Sequence, residues 1–261
     1  MKFSIITVCY NSEKTIRRTF ESVLSQSFTD YEYIVVDGNS KDSTVEIIKE
    51  YEPKFNGRMH WISEPDNGIY DAMNKGIRMA KGDFINMMNS DDQIAPNALQ
   101  YVVERLNEVP DTDIFNGLEK RINAFDEEVS VFRNPHRFLP LGVEIRHQSA
   151  YIRRTLHEKI GLYYGEKYSL SADYEFFLRA FENNAKFTPV DRILSIFSLD
   201  GLSDKNAFKS KKQVLKILFD HGYISTFRYH FSVSIYFVGI KFLRKIIDKI
   251  QKKNITEVNH G

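Results

Sequence analysis

Cysteine is almost missing from these 261 residues: Cys9 stands alone. No disulfide can close within the chain and no cysteine-based zinc site can form, which fits a reducing compartment. No apolar run reaches the roughly 20 residues that a membrane-crossing helix needs. The first residues enter a strand-like run at once, without a charged lead, an apolar stretch and a small-residue cleavage site. No signal peptide is therefore expected, and a cytoplasmic location is. Two glycine-rich nucleotide signatures are missing as well. The absence of G-x-G-x-x-G after the first strand disfavours nicotinamide- and flavin-dependent dehydrogenases, and the absence of G-x-x-x-x-G-K-[ST] removes the P-loop cradle. A diphosphate bound here would need a metal ion and basic side chains instead.

What is present is a globular composition, 42% hydrophobic and 13% aromatic, enough for one good core with appendages. The net charge of +1 hides a lopsided distribution. Residues 205–261 hold 12 Lys and Arg against 3 Asp and Glu, so the body before them is acidic. An acidic body suits cation binding, and a basic tail suits an anionic partner such as a membrane surface, or is a solvated face. In the tail, Phe231, Ile235, Val238, Phe242, Ile246 and Ile250 keep helical spacing with Lys241, Arg244, Lys245, Lys249 and Lys252 between them. This spacing fits an interfacial amphipathic helix, or a terminal helix docked on protein.

The first half alternates strand and helix patterns. Phe3–Val8, Tyr33–Val36, His60–Ile62 and Phe84–Met88 are short apolar or β-branched runs read as strands. Between them, Thr15–Leu24, the segment after Ser43, and the face formed by Ile69, Met73, Ile77 and Ala80 read as helices. Ser43 and Glu46 have capping-box spacing. Pro96 opens a further helix running to about Glu108. This order predicts a mostly parallel sheet with helices on both faces. Ligands bind such sheets at the carboxyl ends of the strands. Asn11, Asp37 and the pair Asp91-Asp92 all fall just past such ends. Beyond Asp113 the pattern is mixed: Val129–Phe132 and Ile193–Phe197 read as strands, and Tyr174–Phe181 as a helix.

Each polar candidate has a chemical reading and a plainer one. Asp91 and Asp92 can hold a hard divalent cation, Mg²⁺ or Mn²⁺, or form a turn before Pro96. Asp37 can accept hydrogen bonds from a nucleoside, or make an Asx turn with Gly38. Ser40 and Asp42 belong to that turn. Lys75 can meet a diphosphate, or pair with Asp71 one helical turn away. Asp173 can take a proton from a hydroxyl, or cap a helix. His147 is a ligand contact or a hydrogen-bonded structural residue.

Taken together the segments resemble the inverting family 2 glycosyltransferases with the GT-A fold. The resemblance rests on Ser4–Asn11, Val35–Thr44, Glu64–Gly76, Asn89–Asp92, His147–Ser149, Ser171–Tyr174 and Gly201–Ser203, which stand in the family's order over about residues 1–205. It implies a GT-A domain at 1–205, with a nucleotide-sugar half at 1–108 and an acceptor and base half at 109–205, followed by the basic tail 206–261. Thr7, Tyr10, Asn11 and Asp37 are implied to line the nucleoside pocket, with Ser40, Asp71 and Lys75 among the nucleotide-sugar contacts. Asp91 and Asp92 would be the acidic metal motif, Asp92 the direct ligand, although Asn89 stands where the family often has its first acid. Asp173 would be the catalytic base, and His147 with the Gly201–Ser203 loop would close over diphosphate or sugar. The implied activity moves a sugar from a nucleotide-sugar, UDP by default, to a glycan or lipid-linked hydroxyl for a bacterial envelope or exported polysaccharide. The tail would touch the inner face of the membrane, and no nucleic acid partner is expected. A nucleotidyltransferase and a non-catalytic nucleotide-sugar-binding module are the rival readings.

Overall fold

The computed structural model describes residues 1–123, 125–132, 139–140, 145–199, 207–226 and 229. The chain divides into two compact units, Met1–Ala207 and Phe208–Gly261.

The first unit opens with β1 (Phe3–Cys9), α1 (Ile16–Leu24), β2 (Tyr31–Asp37), α2 (Thr44–Tyr51), β3 (Met59–Ser63), α3 (Ile69–Met79) and β4 (Phe84–Asn89). These are the alternating elements expected from the apolar runs. The four strands pair in parallel in the order β3-β2-β1-β4. Every residue of β1 and β2 is buried, as in a sheet covered on both faces. Phe3, Ile5 and Cys9 share a core with Tyr33 and Val35, where Phe20 of α1 packs 5.7 Å from Tyr33 and 5.2 Å from Tyr51 of α2. Ile6 and Val36 face the opposite way and meet α3 at Gly76.

The rest of the unit comprises β5 (Gln93–Ile94), α4 (Ala98–Glu108), β6 (Ile114–Ile122), β7 (Glu128–Phe132), a 3-10 turn at His147–Ser149, β8 (Ala150–Arg153), α5 (Arg154–Ile160), α6 (Ala172–Glu182) and β9 (Phe187–Ser198). The sheet continues β4-β8-β6-β9-β5, with β7 on β6. Here β8 pairs antiparallel with β4 and β6, β7 with β6 and β5 with β9, while β6 and β9 run parallel. The α/β fold is thus a mixed sheet whose wholly parallel part is the first four strands. Ser198, the last residue of β9, arrives beside the turn after β4.

One local expectation is corrected. Ser43 precedes α2, but its side chain makes no capping bond. Asp42 accepts the Thr44 amide at 3.0 Å and Glu13 accepts the Ser43 amide at 3.0 Å, so carboxylates satisfy the orphan donors there.

In the second unit, α7 (Ala207–Asp220) buries Val214, Ile217 and Leu218, and Lys216 pairs with Asp220. No helix among the described residues is long and apolar enough to cross a membrane. The helical spacing from Phe231 to Ile250, the Gly201–Ser203 loop and Glu144 lie outside the described residues.

Candidate active site

Strand register brings the expected residues into one row. Cys9 lies opposite Asp37, Asp37 opposite Ser63, and Val8 opposite Asn89, so the carboxyl ends of the parallel strands finish level. Asp37 is fully buried there. Its carboxylate accepts the Ser63 hydroxyl at 2.6 Å, the Ser40 amide at 3.0 Å and the Ser40 hydroxyl. Asn11, in the left-handed region at φ 50°, donates its amide to Ser40 Oγ at 2.8 Å and accepts the Lys41 amide at 2.8 Å. Asp37, Ser40 and Asn11 therefore form one braced double turn, and Tyr10 projects from it 60% exposed.

Two other expected contacts fall away from this rim. Thr7 follows the period-2 alternation onto the face of Ile5 and Cys9, where it is buried and accepts the Tyr33 hydroxyl at 2.8 Å. That places its side chain in the core under α1 rather than among the rim residues. Lys75 closes on its own loop, donating to Pro65 O at 2.7 Å and pairing with Glu64 at 3.0 Å and Asp71 at 3.8 Å. Asp71 in turn accepts the Asn67 amide at 3.0 Å.

The two acids after β4 have different surroundings. Asp92 is fully buried and its oxygens are occupied by Gln148 Nε2 at 3.0 Å, Asn89 Nδ2 at 3.2 Å and the Ser198 amide at 3.2 Å. Burial, followed by the charge of Asp91, pushes its carboxyl well above the usual range despite those donors. Asp91 is only part-buried, and among the described residues the one hydrogen bond to its carboxylate is from its own amide. Burial raises it too, while Arg18 and His147 nearby pull it back. The resemblance implies Asp92 as the direct metal ligand, while the geometry leaves Asp91 the more open of the two carboxylates. Asp92 is braced on all sides, and Asp91 has carboxylate lone pairs to give. Hard cations such as Mg²⁺ are held by one or two carboxylates together with water and phosphate oxygens, and Asp91 fits that pattern. No group of three or more His, Cys, Asp or Glu side chains converges among the described residues.

Asp173 stands in the first turn of α6, which places its charge favourably at a helix N-terminus. Its side chain keeps 20% exposure. Oδ2 meets His147 Nδ1 at 2.9 Å, and Oδ1 accepts the Tyr70 hydroxyl at 2.7 Å. Burial alone would raise this carboxyl, but the bond and charge of His147, the Tyr70 phenol and the Tyr174 amide outweigh it, and it ends below the ordinary carboxylate value. The other ring nitrogen of His147, Nε2, is buried with no hydrogen-bond partner among the described residues. His147 therefore joins Asp173 on one side and influences Asp91 on the other. The arrangement can keep one acid ionised to take a proton and offer a second acid to a cation.

Sequence reading missed four contributors. Tyr70 holds Asp173, Gln148 and Ser198 hold Asp92, and Arg18 bonds Ser198 Oγ at 2.7 Å and Asp126 at 2.8 Å. Gln148 and Tyr70 lay inside quoted motifs. Ser198 and Arg18 carry no signal in a single sequence, because their partners are remote along the chain.

Comparison with known proteins points the same way. The sequence model of glycosyl transferase family 2 matches residues 4–161. An uncharacterized glycosyltransferase of Mycobacterium tuberculosis is 33% identical over 181 residues, 68% of either chain. A PGL/p-HBAD biosynthesis glycosyltransferase of Mycobacterium bovis is 30% identical over 194 residues, 71% of this chain and 72% of that one. Among solved structures, S. aureus TarS 1-349 in complex with UDP-GlcNAc superposes with a TM-score of 0.68 at 23% identity, covering 84% of this chain and 65% of that one. The mannosyltransferase PcManGT from Pyrobaculum calidifontis, in complex with GDP-Man and Mn2+, gives a TM-score of 0.65 at 14% identity over 83% of this chain and 62% of that one. This chain spans less than two thirds of both solved chains, and the likeness to them shows the shared fold.

Proposed function

The chain belongs to glycosyl transferase family 2, and we propose that within it the protein transfers a sugar from a nucleoside diphosphate sugar, by preference a UDP-sugar, to an acceptor hydroxyl with inversion at the anomeric carbon. The observation that carries this reading is the bond between His147 Nδ1 and Asp173 Oδ2 at 2.9 Å, which pairs a part-buried imidazole with the acid at the opening of α6. Asp173, held ionised, takes the acceptor proton as the new bond to the anomeric carbon forms and the bond to the diphosphate breaks. A base so placed contributes about 10²- to 10⁴-fold in rate. Asp91 would hold Mg²⁺ or Mn²⁺, which would supply positive charge to offset that of the leaving diphosphate. The unpartnered His147 Nε2 meets an oxygen of the donor, which removes the cost of about 1–3 kcal/mol of leaving a buried polar atom orphaned. Tyr10 supplies an exposed ring beside the braced turn for the nucleoside base.

The acceptor is a glycan or lipid-linked hydroxyl in bacterial envelope or exported-polysaccharide synthesis. Support comes from the relative named for PGL/p-HBAD biosynthesis and, for uridine, from the TarS complex with UDP-GlcNAc. The basic tail supplies a peripheral contact with anionic membrane at the cytoplasmic face.

Calorimetric titration of UDP and GDP, with and without Mn²⁺, tests the reading on wild type and Asp91→Asn. Metal-dependent binding of one nucleotide, lost in the variant, is expected. Absence of binding of either nucleotide under any metal condition would sink the transferase reading.

A further inference from the structure

Tyr70 belongs to neither the expected nucleoside pocket nor the acid pair. It is the second residue of α3, and its ring is 6% exposed. Its hydroxyl is committed to Asp173 at 2.7 Å, across 103 residues of sequence. The side chain is closely packed at its root: a Cβ on Gly165 would stand 2.6 Å from Tyr70 Cβ, and the Tyr163 ring centroid lies 5.7 Å from that of Tyr70. Packing at the root limits the rotamers open to Tyr70 and so favours the bond its hydroxyl makes. Tyr163 offers an internal contrast. It is also buried, and its hydroxyl has no hydrogen-bond partner among the described residues.

We propose that Tyr70 is a positioning residue for the base: delivered by the first turn of α3, its hydroxyl fixes Oδ1 of Asp173 while His147 fixes Oδ2, so that the carboxylate has one orientation toward the acceptor hydroxyl. This rests on the assignment of Asp173 as base. It also ties the base to the element that follows the Glu64–Gly68 loop, since α3 begins at Ile69. Three titratable side chains act on Asp173 or are acted on by it: Tyr70 from α3, His147 from the 3-10 turn, and Tyr163 from the segment between α5 and α6. Of these, Tyr70 and His147 bond it directly. Loss of the phenol removes a donor that favours the ionised acid, so the carboxyl must rise.

The test compares Tyr70→Phe with Tyr163→Phe, each of which removes one buried hydroxyl. Asp173 is followed by carbon-13 NMR of its labelled carboxyl through a pH titration, assigned with Asp173→Asn. Tyr70→Phe is expected to raise its midpoint by about one pH unit, the equivalent of a tenfold change in its ionisation equilibrium, and Tyr163→Phe to leave it in place. In turnover, Tyr70→Phe should lower kcat about tenfold with donor KM unchanged, and move the acidic limb of the rate profile upward by the same amount. An unmoved Asp173 midpoint in Tyr70→Phe, or equal shifts in both variants, overturns the proposal. A moved midpoint in a protein that binds no nucleotide supports the clamp while removing the transferase reading, so the two fail separately.

Discussion

The end of β4 and the opening of α6 both present buried or half-buried aspartates, yet their acids move in opposite directions. After β4, burial dominates for both acids and the charge of Asp91 adds to the cost of ionising Asp92, so Asp91 and Asp92 are both pushed up. At α6, an imidazole and a phenol more than offset the same burial, and Asp173 is held down. The residue type is identical, and the charge beside it separates the outcomes: a second carboxyl next to Asp92, an imidazole next to Asp173. An acid pushed up by burial gains most from a cation. An acid held down by donors is already ionised and ready to take a proton.

The largest test of that contrast is Asp173→Asn. It keeps the shape but removes the proton acceptor, and initial transfer rates should fall about 10²- to 10⁴-fold while nucleotide affinity by calorimetry stays that of the wild type. A variant that retains its rate would place the base elsewhere. Next comes the division between the two acids after β4. Asp92→Ala strands the donors of Asn89, Gln148 and Ser198, and unfolding in urea should show a loss of about 3 kcal/mol. Asp91→Ala strands no side-chain donor and should stay within about 0.5 kcal/mol of wild type, with metal-dependent nucleotide binding gone. Equal stability losses would erase the distinction between a braced acid and an available one.

A third buried group sharpens the contrast because no donor offsets its burial. His157 stacks on Phe176 at 4.5 Å, and neither ring nitrogen has a hydrogen-bond partner among the described residues. Burial, helped by the charge of Arg179, lowers it from 6.5 to about 3. The folded chain then stays unprotonated there while the unfolded chain takes up a proton below about pH 6.5. This contribution is fully present above that pH and declines as pH falls toward 3, by about 1.4 kcal/mol for each pH unit. Thermal melts of His157→Phe, which keeps a ring against Phe176, should be flatter across that window. A wild-type slope that survives the substitution would assign the acid sensitivity to other groups.

These contrasts also mark what could be read from the chain alone. The parallel half was legible because strands buried on both faces must be continuous apolar runs, and the acids had to follow them at the ligand-binding edge. In contrast, β6 was not legible. Its run Ile-Phe-Asn-Gly-Leu-Glu-Lys-Arg-Ile mixes charge with a glycine that admits Leu194, for a Cβ on Gly117 would lie 2.2 Å from Leu194 Cγ. β8 and α5 are too short to show a period. At the site, residue types and strand ends were recoverable, but not which acid is braced. That depends on Gln148 and Ser198, which lie 56 and 106 residues from Asp92.

The bond from the Ser198 amide to Asp92 has a consequence for how the protein is made. Its partners are separated by 106 residues, so the acid leaves the ribosome well before the strand that supplies its main-chain donor. At roughly 5–20 residues per second the interval is on the order of 5–20 s. During it, the nascent parallel half carries a carboxyl whose final burial must wait for the end of β9. Closure of the site is therefore a late event in synthesis, and a chain truncated before Ser198 should emerge with its strand-end acids still open to water.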